Sequence, residues 1–415
     1  MALHVVRSGL SATWNRTLRP SEVYRYVRNQ IVLASGLEHC KYVLFDGKVF
    51  IDSFAPHFPS PAFDAVLGSF GAGVLREREF VDYAVQAITN RCMFRCQHCY
   101  AIDMLKGKDD LSVDQLVATA AELQRIGVGV LSLEGGEPLL RFDALITVLG
   151  SLKPETAPWI ATTGYSLTEE KARALKRAGL VGATISLDHY RPEDHNAVRG
   201  NEKAFDAATR AVSIFRENGI FPVVAIVPSR KLLAEGGLYR YLELGKQLGV
   251  GMIQVLDPMP SGRYLQKKEE RCFFSRRELQ QVIDFQIEVN TDPRYKDYPA
   301  ISSRAYVEDE RRFGCGMGGN QYIYVDASGN LQPCVYLNAS FGNVNDGGFE
   351  RAYRRMRETL PHPVGGPCPV FSLHREVARH HRAGATLPLD AEKTVEICRR
   401  VRDRALPGIF ARIEK

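Results

Sequence analysis

Residues 91–100 read Arg-Cys-Met-Phe-Arg-Cys-Gln-His-Cys-Tyr and place Cys92, Cys96 and Cys99 in a C-x3-C-x2-C pattern directly after an apolar segment. Three thiolates on one short loop can ligate three irons of a 4Fe-4S cluster and leave the fourth iron without a protein ligand. A free coordination position indicates chemistry rather than a structural role. The alternative is a zinc site completed by His98, although the adjacent ligands His98 and Cys99 are awkward for one ion. A disulfide framework is disfavoured because the nine cysteines are an odd number.

A second motif lies about thirty-five residues further on, where an apolar strand runs directly into Gly135-Gly-Glu-Pro138. Paired glycines allow the backbone to approach a ligand closely, since no Cβ intervenes. Glu137 adds a carboxylate beside this exposed backbone, an arrangement that suits a ligand bearing an ammonium group. The alternative is an ordinary turn from a strand into a helix that starts at the proline.

Together, the cysteine loop and the Gly-Gly-Glu-Pro motif resemble the radical S-adenosylmethionine superfamily, over roughly residues 82 to 260. The resemblance implies reductive cleavage of S-adenosylmethionine to a 5'-deoxyadenosyl radical, which abstracts hydrogen from a substrate. It also implies that Cys92, Cys96 and Cys99 ligate the cluster. The residues that it places against the methionine or ribose moiety are Gly135, Gly136, Glu137, Thr163, Ser186, Asp188 and Arg199.

For three of these residues an ordinary structural role remains open. Ser186 and Asp188 lie at a predicted strand end, where such side chains commonly cap the next helix. Arg199 is equally consistent with a solvated surface charge. The chain also departs from the family pattern before the third cysteine, because His98 stands where relatives often carry an aromatic residue against the adenine.

The order of predicted elements indicates an α/β fold with a parallel sheet. Strand-like runs at 84–89, 128–133, 159–163, 183–187, 222–227 and 252–256 alternate with amphipathic stretches at 113–125, 168–178, 203–218 and 238–248. The motif residues cluster at the carboxyl ends of the strands, where parallel α/β folds place their sites. This fits the partial (β/α)6 TIM-like barrel that the resemblance implies, and we assign it to residues 81–262.

The rest of the chain divides into three regions. Residues 1–80 form a small α+β accessory region with a helix at 21–33 and a hairpin whose turn is Asp46-Gly47, serving as either a substrate-recognition piece or a lid. Residues 263–310 are predicted as a helical linker with a helix at 276–289. Residues 311–415 are predicted as a cluster-binding extension that contains a β-hairpin.

The extension carries a second set of cysteines. A hairpin with its turn at 327–330 would bring Cys315 and Cys334 together, and their C-x13-G-x4-C spacing resembles the start of the SPASM or twitch extension. We predict an auxiliary 4Fe-4S cluster held by Cys315, Cys334 and Cys368. The fourth position is either open for substrate or filled by Cys272, His362 or Cys398. The alternative is a group of isolated buried thiols.

Composition and charge limit which macromolecules this chain is expected to bind. The net charge of +6 is mild for 415 residues, and no basic motif interleaved with aromatic residues indicates nucleic acid. Apolar runs are too short for a membrane helix, and thiolate clusters require a reducing interior, so we expect a cytoplasmic protein with little membrane contact. Basic stretches at 351–357 and 399–404 suit an acidic electron donor of flavodoxin or ferredoxin type.

The leading interpretation is a radical S-adenosylmethionine enzyme that removes hydrogen from a metabolite carbon, with tetrapyrrole, sugar or lipid-like substrates favoured. A peptide-modifying maturase of the same superfamily is the first alternative. A zinc-binding scaffold without catalysis, in which the cysteines close tetrahedral sites, is the second.

Overall fold

The computed structural model describes residues 23–76, 81–105, 109–267, 272–345, 347–384 and 386–413. The rest of the predicted accessory region, residues 1–22 and 77–80, lies outside these ranges. Its described part contains α1 (Val23–Ser35), β1 (Val43–Phe45), β2 (Lys48–Phe50) and α2 (Pro61–Arg76). Among all the described residues, no helix is both long enough and apolar enough to cross a membrane.

The central region alternates strands with helices, as the sequence predicts. Its elements are β3 (Tyr83–Thr89), α3 (Val113–Arg125), β4 (Val130–Gly135), α4 (Phe142–Ser151), β5 (Ala157–Thr162), α5 (Glu169–Arg177), β6 (Gly182–Ser186), α6 (Pro192–Arg199), α7 (Ala204–Glu217), β7 (Phe221–Ile226), α8 (Arg230–Ala234), α9 (Gly237–Leu248) and β8 (Met252–Val255). Local signals set several boundaries: Ser112 and Gln115 form a capping box at α3, and Gly200 ends α6 in the left-handed conformation.

The C-terminal part is mainly helical and adds three strands. Its elements are α10 (Arg263–Lys267), α11 (Arg276–Thr291), β9 (Ala300–Ser303), α12 (Arg304–Val307), β10 (Tyr322–Val325), β11 (Leu331–Gln332), α13 (Phe349–Thr359), α14 (Val370–Arg382), α15 (Ala391–Arg402) and α16 (Gly408–Ala411).

The main sheet has the strand order β11-β10-β3-β4-β5-β6-β7-β8-β9. Strands β3 to β9 are parallel, β10 pairs in parallel with β3, and β11 closes the predicted hairpin by pairing antiparallel with β10. Helices cover the outer face, where Leu116, Leu145 and Phe215 are fully buried. The prediction of an α/β fold with a parallel sheet is confirmed. In the described ranges β9 and β11 are the two ends of the strand order and do not pair with each other, so the sheet forms no closed barrel.

The linker predicted at 263–310 requires a correction, because it is not only helical. Strand β9 lies inside it and pairs with β8. The Asn290 side chain of α11 holds this strand by donating to the Ile301 carbonyl and accepting from the Ile301 amide, each at 2.8 Å. Four residues, Ala-Ile-Ser-Ser, are too short to reveal their strand character by periodicity.

The predicted hairpin of the N-terminal region packs on the amino ends of the sheet strands. The Phe50 ring stacks on Phe221 at the start of β7 with 3.9 Å between centroids, and it meets the edge of Trp159 in β5. The cysteine loop follows β3 and therefore lies at the opposite, carboxyl end. The hairpin thus packs at the amino end of the sheet, away from the end that carries the cysteine loop.

Candidate functional site

The cysteine loop and the Gly-Gly-Glu-Pro turn are joined through their backbones. The Gly136 amide donates to the Thr89 carbonyl at 2.8 Å, and the Glu137 amide donates to the Arg91 carbonyl at 2.9 Å. A Cβ on Gly136 would lie 2.1 Å from the Arg91 oxygen, so only glycine permits this approach. The two motifs that define the resemblance therefore form one structural unit.

The three cysteines of the loop line one cavity. The Phe94 amide donates to Cys92 Sγ at 3.4 Å, and Arg199 Nη1 donates to Cys96 Sγ at 3.5 Å. Burial raises the pKa of Cys92 to about 11 and that of Cys99 to about 12. Metal binding must therefore displace their protons, as is usual for thiolate sites.

Asp188 organises the charges beside this loop. Its Oδ2 lies 2.5 Å from Arg199 Nε and 3.0 Å from His98 Nε2, while its Oδ1 accepts from the Val227 amide at 3.0 Å. Burial alone would raise the pKa of Asp188, but the charges of Arg199 and His98 lower it well below its usual value. Asp188 therefore stays ionised, and His98 is directed at a carboxylate rather than at a metal shared with the cysteines.

Glu137 occupies a different place from the one predicted. Its fully buried carboxylate accepts hydrogen bonds from the Thr162 hydroxyl at 2.6 Å, the Thr163 hydroxyl at 2.6 Å and the Thr163 amide at 2.8 Å. The cavity is lined by Gly135 and Gly136 but not by Glu137. The carboxylate thus fixes the end of β5, which leaves the glycine backbone to meet a ligand.

The other predicted cofactor contacts, Thr163, Ser186, Asp188 and Arg199, all line the cavity. Arg199 is not a solvated surface charge, since it is 8 % exposed and paired with Asp188. Asp188 does not cap a helix with its side chain; its amide donates to His195 Nδ1 at 2.9 Å. The structure therefore brings all four residues to the cavity, and Asp188 and Arg199 contact the cysteine loop directly.

Sequence reasoning missed Glu134, the residue before the paired glycines. Its carboxylate lines the cavity and accepts from the Tyr100 hydroxyl at 3.1 Å and the Ser132 hydroxyl at 2.7 Å. Burial raises the pKa of Glu134. The period of two along a strand places Ser132 and Glu134 on one face of β4, a signal that was available in the sequence.

The C-terminal cysteines Cys315, Cys334 and Cys368 open on the same cavity, whose volume is about 560 Å³. Backbone bonds in both directions between Cys315 and Val364 fix the first of them. The neighbouring thiol of Cys368, followed by burial, raises the pKa of Cys315. The Tyr336 amide donates to Cys334 Sγ at 3.4 Å. The structure thus assembles the second set from three separate segments.

None of the three side chains predicted as possible fourth ligands faces the cavity: Cys272, His362 and Cys398, all within the described ranges, are absent from its walls. Cys398 is fully buried on α15, where burial raises its pKa to about 12. It behaves as a core residue.

Each cysteine set directs three thiols at the cavity, and three thiolates are the protein ligands that a 4Fe-4S cluster with one open iron requires. Among the residues that the structure describes, no three His, Cys, Asp or Glu side chains form a group that would hold a single metal ion.

Comparison with known proteins agrees with this geometry. Residues 87–228 match the model of the Radical SAM superfamily. An AdoMet-dependent heme synthase from Methanosarcina barkeri is 26% identical over 313 residues, which cover 70% of this chain and 88% of the relative. A GTP 3',8-cyclase from Listeria welshimeri is 31% identical over 44% of this chain and 55% of that protein.

A solved structure shares the fold. SuiB from Streptococcus suis bound to S-adenosylmethionine superposes with a TM-score of 0.54 at 14% identity, covering 75% of this chain and 79% of SuiB.

Proposed function

Because the chain carries a radical SAM domain and resembles radical SAM enzymes over most of its length, we propose that it cleaves S-adenosylmethionine and removes a hydrogen atom from an apolar metabolite. Cys92, Cys96 and Cys99 would hold a 4Fe-4S cluster, which would supply the electron for the cleavage. Cys315, Cys334 and Cys368 would hold an auxiliary cluster on the same cavity.

The observation that carries this proposal is that both cysteine sets open on one cavity. Tyr100 follows Cys99 directly, and its ring meets the Tyr336 ring edge-on with 6.1 Å between centroids. Tyr336 in turn donates its amide to Cys334. A substrate in this cavity would contact both sites at once.

When bound, the cluster and S-adenosylmethionine supply a radical that takes hydrogen from carbon. The chain's own residues position the reactants. Gly135 and Gly136 expose backbone to the methionine end, and Thr163 and Ser186 line the wall beside it. Arg199, held by Asp188, places a positive charge beside Cys96 and the methionine carboxylate. Apolar walls exclude water, which protects a radical from side reactions.

The charges of the cavity indicate an uncharged, mainly apolar substrate. Its two arginines are already paired, Arg199 with Asp188 and Arg304 with Asp257. Glu134 is available as a hydrogen-bond acceptor for a hydroxyl or amine. The relatives named heme synthase keep a tetrapyrrole among the candidates.

The chemistry requires an electron donor and a reducing compartment. A flavodoxin or ferredoxin-type protein is the donor that we propose, since the last turns of α14 and α15 carry basic side chains that suit an acidic partner. Thiolate clusters persist in a reducing interior, so we propose the cytoplasm.

Anaerobic purification and a cleavage assay test the proposal. Wild-type protein is expected to be brown and to form 5'-deoxyadenosine from S-adenosylmethionine under dithionite. Cys96→Ala removes a cluster ligand and should reduce this product to background. Cys398→Ala, which changes a thiol in the core, should retain it. Product formation by the Cys96 variant at the wild-type rate would refute the proposal.

A further inference from the structure

The second cysteine set has a carboxylate beside it that the sequence did not single out. Glu308 follows α12 directly, and a turn closed by the Gly314 amide on the Asp309 carbonyl returns the chain to Cys315. Glu308 lines the same cavity as all three thiols. Its side chain keeps 32% of its surface exposed, and that surface is therefore open to a ligand in the cavity.

Arg304 fixes the direction of this carboxylate. Arg304 Nη1 donates to Glu308 Oε2 at 2.5 Å, which leaves Oε1 without a hydrogen-bond partner among the described residues. The Arg304 guanidinium lies 5.8 Å from the centre of the Tyr336 ring, whose backbone amide binds Cys334 Sγ. Arg304 therefore ties Glu308 to the segment that carries Cys334.

A neighbouring carboxylate, Asp257, is not equivalent. Both of its oxygens accept from Arg304, one from Nε at 2.9 Å and the other from Nη2. Glu308, by contrast, gives only Oε2 to Arg304, and it lines the cavity together with all three thiols of the set.

We propose that Glu308 is the fourth ligand of the auxiliary cluster, binding through Oε1 the iron that Cys315, Cys334 and Cys368 leave open. This rests on the auxiliary cluster of the proposed function. A fourth cysteine is unnecessary in this arrangement, and Arg304 offsets the negative charge that the carboxylate adds. Because a carboxylate is a harder ligand than a thiolate, the iron that it binds is electronically distinct from the other three.

The experiment uses the full chain with Cys92, Cys96 and Cys99 changed to Ala, so that only the auxiliary cluster remains. Mössbauer spectroscopy of this protein after reconstitution with isotopic iron should show one distinct iron in four. Adding Glu308→Ala should change the Mössbauer parameters of that iron and the EPR signal of the dithionite-reduced cluster. It should also increase several-fold the fraction of clusters that lose one iron on mild oxidation. Glu308→Cys should give four similar irons. Glu310→Ala, an exposed carboxylate two residues away, is the matched control.

Spectra that are identical with and without Glu308 would overturn the proposal, because the cluster would then be present with another fourth ligand or none. Protein without any cluster in the triple-alanine background would overturn the auxiliary cluster itself. The cleavage of S-adenosylmethionine by chains that retain Cys92, Cys96 and Cys99 tests the remainder of the proposed function separately. The two failures are therefore distinguishable.

Discussion

The two cysteine sets face one cavity but are built differently. Cys92, Cys96 and Cys99 lie on one loop, which α6 holds through the Arg95 amide on the Arg199 carbonyl and the Gln97 amide on the Val198 carbonyl. Cys315, Cys334 and Cys368 come from segments nineteen and thirty-four residues apart. A contiguous loop gathers its ligands at little entropic cost, whereas the second set depends on the hairpin, on the strand bridge at Val364 and on the start of α14.

Despite this difference, both sets lie beside a buried arginine paired with an aspartate. At the first set Arg199 pairs with Asp188 and reaches Cys96 Sγ directly. At the second set Arg304 pairs with Asp257 and reaches Glu308 instead. In both places the positive charge offsets the negative charge of thiolate ligands, which is costly to bury alone. The difference suggests that the first arginine acts on a cysteine and the second on a carboxylate.

The largest expected effect separates the two sets by function. Changing Cys92, Cys96 and Cys99 to Ala should abolish formation of 5'-deoxyadenosine. Changing Cys315, Cys334 and Cys368 to Ala should retain formation of 5'-deoxyadenosine, while the iron content of the reconstituted protein falls from about eight to about four atoms per chain. Iron analysis and product chromatography on the same samples measure both. An unchanged iron content in the second variant would show that those thiols hold no cluster.

The next largest effect concerns the paired arginines. Asp188→Asn leaves Arg199 as an uncompensated buried charge, whereas Asp257→Asn leaves Arg304 with Glu308 as its remaining partner. Asp188→Asn should lower the free energy of unfolding by about 3–5 kcal/mol, measured by urea denaturation, and Asp257→Asn should lower it by less. Only Asp188→Asn should also weaken cluster retention at the first loop, since it releases both Arg199 and His98. Equal iron loss at both sites in both variants would contradict separate roles for the pairs.

Much of this arrangement follows from the sequence, and the failures have identifiable causes. Periodicity placed α3 correctly and located each central strand within two residues, because long alternating segments carry strong signals. The hairpin turn at Asp46-Gly47 was equally clear from the sequence. The packing of the hairpin residue Phe50 against Phe221 and Trp159 could not be predicted, since no local pattern specifies a contact more than a hundred residues away.

In the site, too, local motifs were predictable from the sequence and long-range contacts were not. The motifs identified Cys92, Cys96, Cys99 and the paired glycines, and the structure brings them together. Motif analogy assigned Glu137 to the ligand, but the hydroxyls of Thr162 and Thr163 occupy its carboxylate. Glu308 belongs to no motif, and only the path of the chain after β9 places it beside the cysteines.

Two glutamates of one motif provide the third prediction. Glu137→Gln replaces an acceptor of several buried hydrogen bonds and should lower the free energy of unfolding by about 1–3 kcal/mol. Glu134→Gln retains an oxygen toward Tyr100 and Ser132 and faces the cavity, so its effect on stability should be smaller. Parallel urea denaturation of the two variants checks the order. A larger loss for Glu134→Gln would mean that Glu134, rather than Glu137, holds the motif in place.

The smallest effect is a pH dependence at the junction between the two halves of the site. Asp82 precedes β3, which leads to the first cysteine loop, and it bonds the side chain of Gln321, which precedes β10 and the second set. Burial raises the pKa of Asp82 to about 8, and the Gln321 bond only partly opposes this. An acid with a raised pKa stays neutral in the folded chain while it ionises in the unfolded chain. Its contribution to stability therefore falls as pH rises from about 4 to about 8.

Asp82→Asn removes this titration and should reduce the loss of unfolding free energy between pH 5 and pH 8 by about 1 kcal/mol, because relaxation of the protein around the charge reduces the effective shift. Urea denaturation at the two pH values measures it. Asp188 has the opposite shift: its lowered pKa keeps its stabilising charge throughout that window, and the contribution is lost only in strong acid. The penalty of Asp188→Asn should therefore be the same at pH 5 and pH 8. A penalty that grows toward pH 8 would place the titrating group at the first cysteine loop instead of at the junction.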